Sequence, residues 1–195
     1  MVIFPHKLTH PVPVEEREYW ALFFLCLNGK TSKVQAEKIN EIFALWEEMW
    51  VGWKPFALIR NLEESEVEDL LRSVGMGQYE RLVKSWTIIA CYGLDHEHEL
   101  FARLPGVGPK TSRMLSGYLN NEKVAILDVH VLAWLRGLGQ DNIPTQTPYN
   151  EGIYQVYEKI YLRYAEKLGV HPLDLDTAIW RASASSVTEG EVCHE

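Results

Sequence analysis

The chain has 195 residues, enough for one domain or two small ones with a real hydrophobic core. Its 47% hydrophobic and 24% charged residues are ordinary for a globular protein, and it has no apolar run of about 18 residues that could span a bilayer. The formal net charge of −8 argues against a protein that coats nucleic acid through bulk charge, because that affinity comes from lysine and arginine.

The first residues, MVIFPHKLTHPVPVEERE, lack a basic region followed by an apolar one, so we expect no signal peptide. Residues 1–13 hold three prolines and predict an extended arm. The cysteines at 26, 91 and 193 form no closely spaced set, which argues against a disulfide framework and a four-cysteine metal site. We therefore expect a cytoplasmic protein without a cofactor, associated with the nucleoid if the source is a prokaryote.

Apolar residues recur at helical spacing along most of the chain, and no segment shows the period-two alternation of a strand. Glycine ends several of these periodic segments, as at Gly29 and Gly93. The sequence therefore predicts an all-α protein. The predicted helices lie at about 15–27, 32–46, 65–73, 79–91, 98–103, 109–119, 129–136, 149–168 and 175–181.

A glycine-rich turn, Leu104-Pro105-Gly106-Val107-Gly108, separates two of the predicted helices. Both glycines can adopt backbone angles closed to other residues, so the turn can approach another molecule closely. Pro109 suits the first position of the next helix, whose free N–H groups and dipole attract phosphate. We expect Leu104 and Val107 to be buried between the helices. Taken alone, two glycines at this spacing favour an ordinary tight turn over a binding motif.

The segments LPGVGPKTSRML and AILDVHVLAWL, with VGMGQYERLVKSW upstream, resemble the helix-hairpin-helix motif with Gly/Pro-rich loop and aspartate of the base-excision DNA glycosylase superfamily. The resemblance covers residues 20–136 well and 149–181 loosely. It implies two helical lobes around a cleft that accepts a flipped base. Lobe one would be 28–136, with the hairpin at about 98–119, and lobe two 1–27 plus 137–181. The polar tail 182–195 is predicted to be disordered.

This resemblance implies catalytic roles for Lys110 and Asp128. Lys110 would attack C1′ of the sugar, displace the base and form a Schiff base, after which β-elimination nicks the strand. A helix N-terminus and partial desolvation favour the free amine that this chemistry needs. A carboxylate at Asp128 could take the amine proton and stabilise an oxocarbenium-like sugar. The alternatives are a helix cap at Asp128, worth about 1 kcal/mol, and an exposed or phosphate-binding Lys110.

Several features resemble the small 8-oxoguanine DNA glycosylases of archaea and some bacteria. Many other relatives carry a four-cysteine iron–sulfur loop where this chain has only Cys193. The chain length, the eighteen-residue interval from Lys110 to Asp128 and the segment 175–180 match the small enzymes. We therefore predict 8-oxoguanine as the substrate. The alternatives are the same chemistry on oxidised pyrimidines or mismatched thymine or uracil, and a helix-hairpin-helix protein that binds DNA structure without catalysis.

The same resemblance implies a base pocket. Trp180 would stack on the flipped purine, although a late tryptophan in an apolar helix is also typical of a core. Asp176 would contact the base or cap the last helix, and we give these two interpretations equal weight. Asn28 would fill the gap in the duplex, or simply end the first helix before Gly29.

Lys30 would contact a phosphate beside Asn28. The remaining predicted DNA contacts lie in or near the hairpin, in a stretch between Arg103 and Arg136 where basic residues outnumber acidic ones. His130 would orient Asp128 or contact DNA, with a core histidine as the alternative. A K⁺ or Na⁺ ion at the 104–108 backbone is the only metal we expect, and His96 and His98 are predicted to be solvated. The expected partner is duplex DNA with a damaged base, bound by a monomer and without a membrane. The DNA-binding set is Asn28, Lys30, Gly106, Val107, Gly108, Lys110, Thr111 and His130.

Overall fold

The apolar stripes of the sequence form a series of helices separated by short turns. The computed structural model describes residues 2–3, 8–27 and 32–190. Over these residues there are ten α-helices, a 3₁₀ turn at Val14–Glu16 and no strand, which confirms the all-α prediction. None of the described helices has both the length and the apolar character needed to cross a membrane. The helices are α1 Arg17–Cys26, α2 Ser32–Met49, α3 Pro55–Asn61, α4 Glu64–Ser73, α5 Tyr79–Tyr92, α6 His98–Phe101, α7 Pro109–Asn120, α8 Val129–Gly137, α9 Glu151–Leu168 and α10 Pro172–Gly190.

Two helices differ from the sequence prediction. Helix α3 was not predicted, because its seven residues are too few to show a clear apolar period. Helix α10 continues past Arg181, where we expected it to end, because no glycine or proline interrupts the chain before Gly190. The tail that we predicted to be disordered from residue 182 is therefore part of this helix as far as Gly190. Residues 191–195, with Cys193, lie outside the described part of the chain.

The buried apolar side chains form two clusters. The larger cluster combines residues of α1 to α7 with Leu173 of α10, and the smaller one combines residues of α8 to α10. The segment 124–128 lies between them, since Ile126 belongs to the larger cluster while Ala125 and Leu127 belong to the smaller one. The division into lobes at 28–136 and at 1–27 plus 137–181 stays a prediction. The apolar residues of α1 pack in the larger cluster.

The glycine turn joins α6 to α7, and its two apolar residues, Leu104 and Val107, are buried as predicted. Gly106 has a φ of +68°, which L-residues rarely adopt, and a Cβ there would clash with the side chain of Arg81. Gly108 has a φ of −93° and open space at its Cβ position. We expected both glycines to use their conformational freedom, and only Gly106 does so.

Candidate active site

Lys110 lies at the start of α7, directly behind the glycine turn. Gly108 is the N-cap of this helix and Pro109 its first residue, so Lys110 is the second, as the sequence predicted. The first turn is held by two hydrogen bonds, from the Ser112 backbone N–H to the Gly108 carbonyl at 3.0 Å and from the Ser112 hydroxyl to the Pro109 carbonyl at 2.9 Å. The lysine side chain is half-buried. It is therefore attached to a rigid helix end with room to reach outward.

Asp128 caps α8, as predicted by the alternative in which this residue is a helix cap. Its Oδ1 accepts hydrogen bonds from the backbone N–H groups of His130 and Val131, each at 2.9 Å. These bonds fix the orientation of the carboxylate, and the cap does not remove it from solvent because the residue is half-buried. Capping thus holds the carboxylate in one place and is compatible with a second, chemical role.

One cavity brings together the two predicted catalytic residues and the two predicted base contacts. It has a volume of about 260 Å³, close to the lower end of ligand pockets, and Lys110, Asp128, Asp176 and Trp180 all line it. These side chains come from α7, the α8 cap and α10, which are far apart in the sequence. Trp180 is 41% exposed, so it is not a core residue, unlike Trp20, another lining residue, which is 3% exposed.

Asp176 is an unusual acid in this cavity. Helix α10 begins at Pro172, so Asp176 lies in its second turn and does not cap it. The Tyr118 hydroxyl donates a hydrogen bond to Asp176 Oδ2 at 3.3 Å. Burial raises the pKa of Asp176 to about 7; the negative charge of Asp128 adds to the rise, while Lys110 and the Tyr118 bond oppose it. Near neutral pH this carboxyl therefore exists in both protonation states.

Sequence reasoning missed several residues of the cavity wall. Met114 and Tyr118 follow Lys110 at intervals of four residues, so a helical projection of α7 would have placed all three on one face. The α1 side of the cavity had no such signal, because its residues look like ordinary core positions. The additional lining residues are Leu8, Trp20, Phe23, Phe24, Leu27, Ser32, Met114, Tyr118, Ile126, Thr177 and Arg181.

Other predicted contacts lie away from this cavity. Gly106, Val107, Gly108, Thr111 and His130 are not among its lining residues. The Val107 side chain is buried, and its backbone N–H donates to the Leu104 carbonyl at 3.1 Å. His130 contacts Asp128 through its backbone N–H.

Asn28 and Lys30 lie outside the described residues. Their predicted roles, a wedge in the duplex for Asn28 and a phosphate contact for Lys30, stay predictions.

Two charged groups differ from what the sequence suggested. Arg113, which we counted in the basic stretch, is fully buried and paired with Glu151 and Glu158, so it adds no exposed positive charge. His98, which we expected to be solvated, has a side chain only 15% exposed, with its Nδ1 2.6 Å from Glu122. Opposite charges that are distant in sequence meet only in the fold, and this explains both differences.

One group of side chains in the described part of the chain has the residue types of a metal site. His10, His171 and Asp174 offer ligand atoms within 4.8 Å of one another. The two rings stack with centroids 4.1 Å apart and planes only 21° apart, so their in-plane lone pairs run side by side and do not converge. Nδ1 of His171 also accepts from the Leu173 N–H at 3.3 Å. We therefore assign no ion to this group.

No family model matches the chain. Solved structures do share its fold. The 8-oxoguanine DNA glycosylase of Methanocaldococcus jannaschii is 20% identical, with 88% of this chain and 79% of the other covered and a TM-score of 0.62. The same enzyme in complex with a 15mer DNA containing 8-oxoguanine is 18% identical, with 88% of this chain and 82% of the other covered and a TM-score of 0.63. A thermostable thymine-DNA glycosylase gives 19% identity, 82% and 70% coverage, and a TM-score of 0.52. The chain therefore has the fold of helix-hairpin-helix DNA glycosylases, as the resemblance predicted.

Proposed function

We propose that this protein is a DNA glycosylase with AP lyase activity that excises 8-oxoguanine from duplex DNA. The observation that carries the proposal is that Lys110 and Asp128 line one cavity together with Trp180 and Asp176. A nucleophile, a carboxylate and an aromatic surface are the three groups that such a reaction requires. The fold shared with the Methanocaldococcus jannaschii enzyme, whose complex contains 8-oxoguanine in DNA, supports the choice of substrate.

The chemistry begins at Lys110. Asp128 accepts a proton from the ammonium group, and the free amine attacks C1′ of the flipped nucleotide while the bond from C1′ to the base breaks. The ammonium group loses two protons on the way to the protonated imine: one leaves with the base, and the other goes to the ring oxygen as the sugar ring opens and the imine links Lys110 to C1′. Loss of a C2′ proton then breaks the C3′–O bond, and water hydrolyses the imine to regenerate the lysine. The carboxylate of Asp128 also stabilises positive charge that develops on the sugar.

Base recognition in this proposal falls to Trp180 and Asp176. The exposed face of Trp180 offers a stacking surface for a purine. The Asp176 carboxyl, with its pKa raised to about 7, can donate a hydrogen bond in its protonated form or accept one in its ionised form. It therefore suits a base edge that presents either a donor or an acceptor.

The hairpin serves DNA binding in the same proposal. The backbone at Gly106–Gly108 and the start of α7 would bind a phosphate, since free N–H groups and the helix dipole favour an anion there. Thr111 and His130 would make further contacts to the strand, and a K⁺ or Na⁺ ion would lie between the 104–108 carbonyls and a phosphate. A monomer acting on cytoplasmic DNA completes the proposal.

Borohydride trapping tests this function directly, because it reduces the imine to a stable covalent adduct. The purified protein is incubated with duplexes that hold 8-oxoguanine, thymine glycol, mismatched thymine, uracil, an abasic site or no lesion. Lys110→Gln and Asp128→Asn are the test variants; asparagine still caps α8 but cannot accept the proton. Lys123→Gln is the matched control, because Lys123 is an exposed lysine that does not line the cavity.

We expect an adduct on 8-oxoguanine that is absent in Lys110→Gln and retained in Lys123→Gln. An adduct on a different lesion would keep the mechanism and replace the substrate. No adduct on any duplex, the abasic one included, would contradict the lyase and leave either a monofunctional glycosylase or a protein that binds DNA structure without catalysis.

A further inference from the structure

Arg113 is a fully buried cation one helical turn after Lys110 in α7. Its Nη2 lies 2.6 Å from Glu151 Oε1 and 2.9 Å from Glu158 Oε2, and its guanidinium lies 4.8 Å from the Tyr154 ring centroid. Hydrogen bonds to these two glutamates raise the pKa of Arg113 against the opposing effect of burial. The helix that carries Lys110 is thereby bonded to α9 through a charged, directional contact.

The same residues of α9 bond to the segment 124–128. Glu158 Oε1 accepts from the Ala125 backbone N–H at 3.0 Å. The Tyr154 hydroxyl donates to the Ala125 carbonyl and accepts from the Leu127 N–H, both at 2.8 Å. Two buried side chains therefore satisfy three backbone groups of this segment.

This segment ends at Asp128, and it has no helix or strand ladder of its own. The backbone-to-backbone hydrogen bonds of this segment are local, such as the one from the Asp128 N–H to the Ile126 carbonyl at 2.9 Å. Such local bonds do not set the position of the segment relative to α7. The bonds from Glu158 and Tyr154 do, because they reach across to a long helix that Arg113 also holds.

We propose that Arg113, Glu158 and Tyr154 form a positioning network that sets where Asp128 lies relative to Lys110. The inference rests on the proposed function and deepens it. None of the three side chains lines the cavity, so each acts through the backbone of 124–128 or through α7. A misplacement of about 1 Å at a reacting group can lower a rate by about a hundredfold, which makes such a network consequential.

Tyr154→Phe is the sharpest test, because it keeps the buried ring and removes only the hydroxyl that bonds Ala125 and Leu127. Tyr161→Phe is the matched control: Tyr161 is also fully buried on α9, and its hydroxyl donates to a different backbone carbonyl, that of Pro172, at 2.8 Å. Glu158→Gln retains an oxygen that can accept from the Ala125 N–H, whereas Glu158→Met does not. If Tyr154→Phe folds poorly, the comparison of Glu158→Gln with Glu158→Met tests the support of the same segment.

The experiment measures the single-turnover rate of base release at saturating enzyme, and separately the Kd for a duplex with a non-cleavable abasic analogue. We expect Tyr154→Phe and Glu158→Met to lose about tenfold or more in rate with Kd unchanged within about twofold. Glu158→Gln and Tyr161→Phe should retain most of the rate. Equal rates for Tyr154→Phe and Tyr161→Phe, with an active wild type, would overturn the network and leave the function intact. A wild type inactive on every duplex would overturn the proposed function and the network's role with it.

Discussion

The two walls of the cavity are held in place by different forces. The catalytic wall, which carries Lys110 and Asp128, is connected to α9 by buried polar bonds through Arg113, Glu158 and Tyr154. The aromatic wall, formed by α1 and α10 with Trp20, Trp180 and Asp176, packs its α1 side in the larger apolar cluster, while its α10 side receives hydrogen bonds from the uncharged hydroxyls of Tyr118 and Tyr161.

The difference has a physical reason. Hydrogen bonds and ion pairs are directional and fix an atom in space, whereas apolar contact is non-directional and tolerates small displacements. A reacting amine and carboxylate need the first kind of support. A surface that stacks on a base can rely on the second kind, so substitutions in the two walls should have different effects.

The largest expected effect comes from breaking the catalytic wall at its buried charge. Arg113→Met leaves Glu158 buried without its cation, and we expect the free energy of unfolding to fall by about 3–5 kcal/mol in urea titrations. Adding Glu158→Gln to the same chain should restore part of the loss, because it removes the uncompensated charge. Lys84→Met, which breaks an exposed ion pair with Glu80, should change stability little. Similar losses in the free energy of unfolding for Arg113→Met and Lys84→Met would contradict the special role of the buried charge.

The aromatic wall contains one group that opposes folding, and Asp176→Asn should remove it. The folded-state pKa of Asp176 is raised to about 7 from an ordinary value of 3.8, so the wild type loses stability as the pH rises from 3.8 to 7. We expect the asparagine variant to be more stable above pH 7 by roughly 2 kcal/mol, allowing for the part of the carboxyl that is open to the cavity.

The pH dependence distinguishes this effect from better packing. Well below pH 3.8 the carboxyl is protonated in both the folded and the unfolded chain, so the gain in the free energy of unfolding should vanish there. Urea unfolding at pH 2.5, 6 and 8 measures it. Asp141→Asn is the control, because that side chain is exposed and does not line the cavity, so its substitution should give no such trend. A gain in the free energy of unfolding of equal size at all three pH values would show that the charge of Asp176 is not the cause.

Trp180→Ala should weaken binding more than folding. In the proposed function Trp180 stacks on the base, so we expect about a tenfold loss in affinity for an 8-oxoguanine duplex, or about 1.4 kcal/mol. The melting temperature should change little, because Trp180 is 41% exposed. Trp53→Ala removes a tryptophan that is 49% exposed and lies outside the cavity, and it should leave affinity unchanged. Equal affinity losses would indicate a non-specific effect.

The smallest expected effect separates the two roles of Asp128. Asp128→Ala removes the cap of α8 and should lower stability by about 1 kcal/mol, whereas Asp128→Asn should keep most of it. Base release should be lost in both variants, since neither can accept the amine proton. Thermal unfolding and single-turnover assays on the same samples make the comparison. Retained activity in Asp128→Asn would assign Asp128 to capping alone.

Much of this arrangement was visible in the residues themselves. The helix class and the hairpin with Lys110 at the second position of α7 follow from local patterns, whereas Asp128, Asp176 and Trp180 became candidates through the resemblance to a known family. Local patterns are sufficient because helix periodicity, capping and turn chemistry depend on neighbours in the chain. The interpretation of Arg113 as part of a basic face was wrong, since its partners are more than thirty residues away.

The residues alone were sufficient to predict most of the helices and the chemical types of several groups near the cavity. Only the tertiary structure decided which of these groups meet: that Tyr118 bonds to Asp176, that Arg113 is buried between two glutamates, and that Glu158 and Tyr154 hold the segment before Asp128. The reason is that burial and pairing depend on distances through space. A charge that is neutralised in the core and a charge that faces solvent look the same in a single sequence.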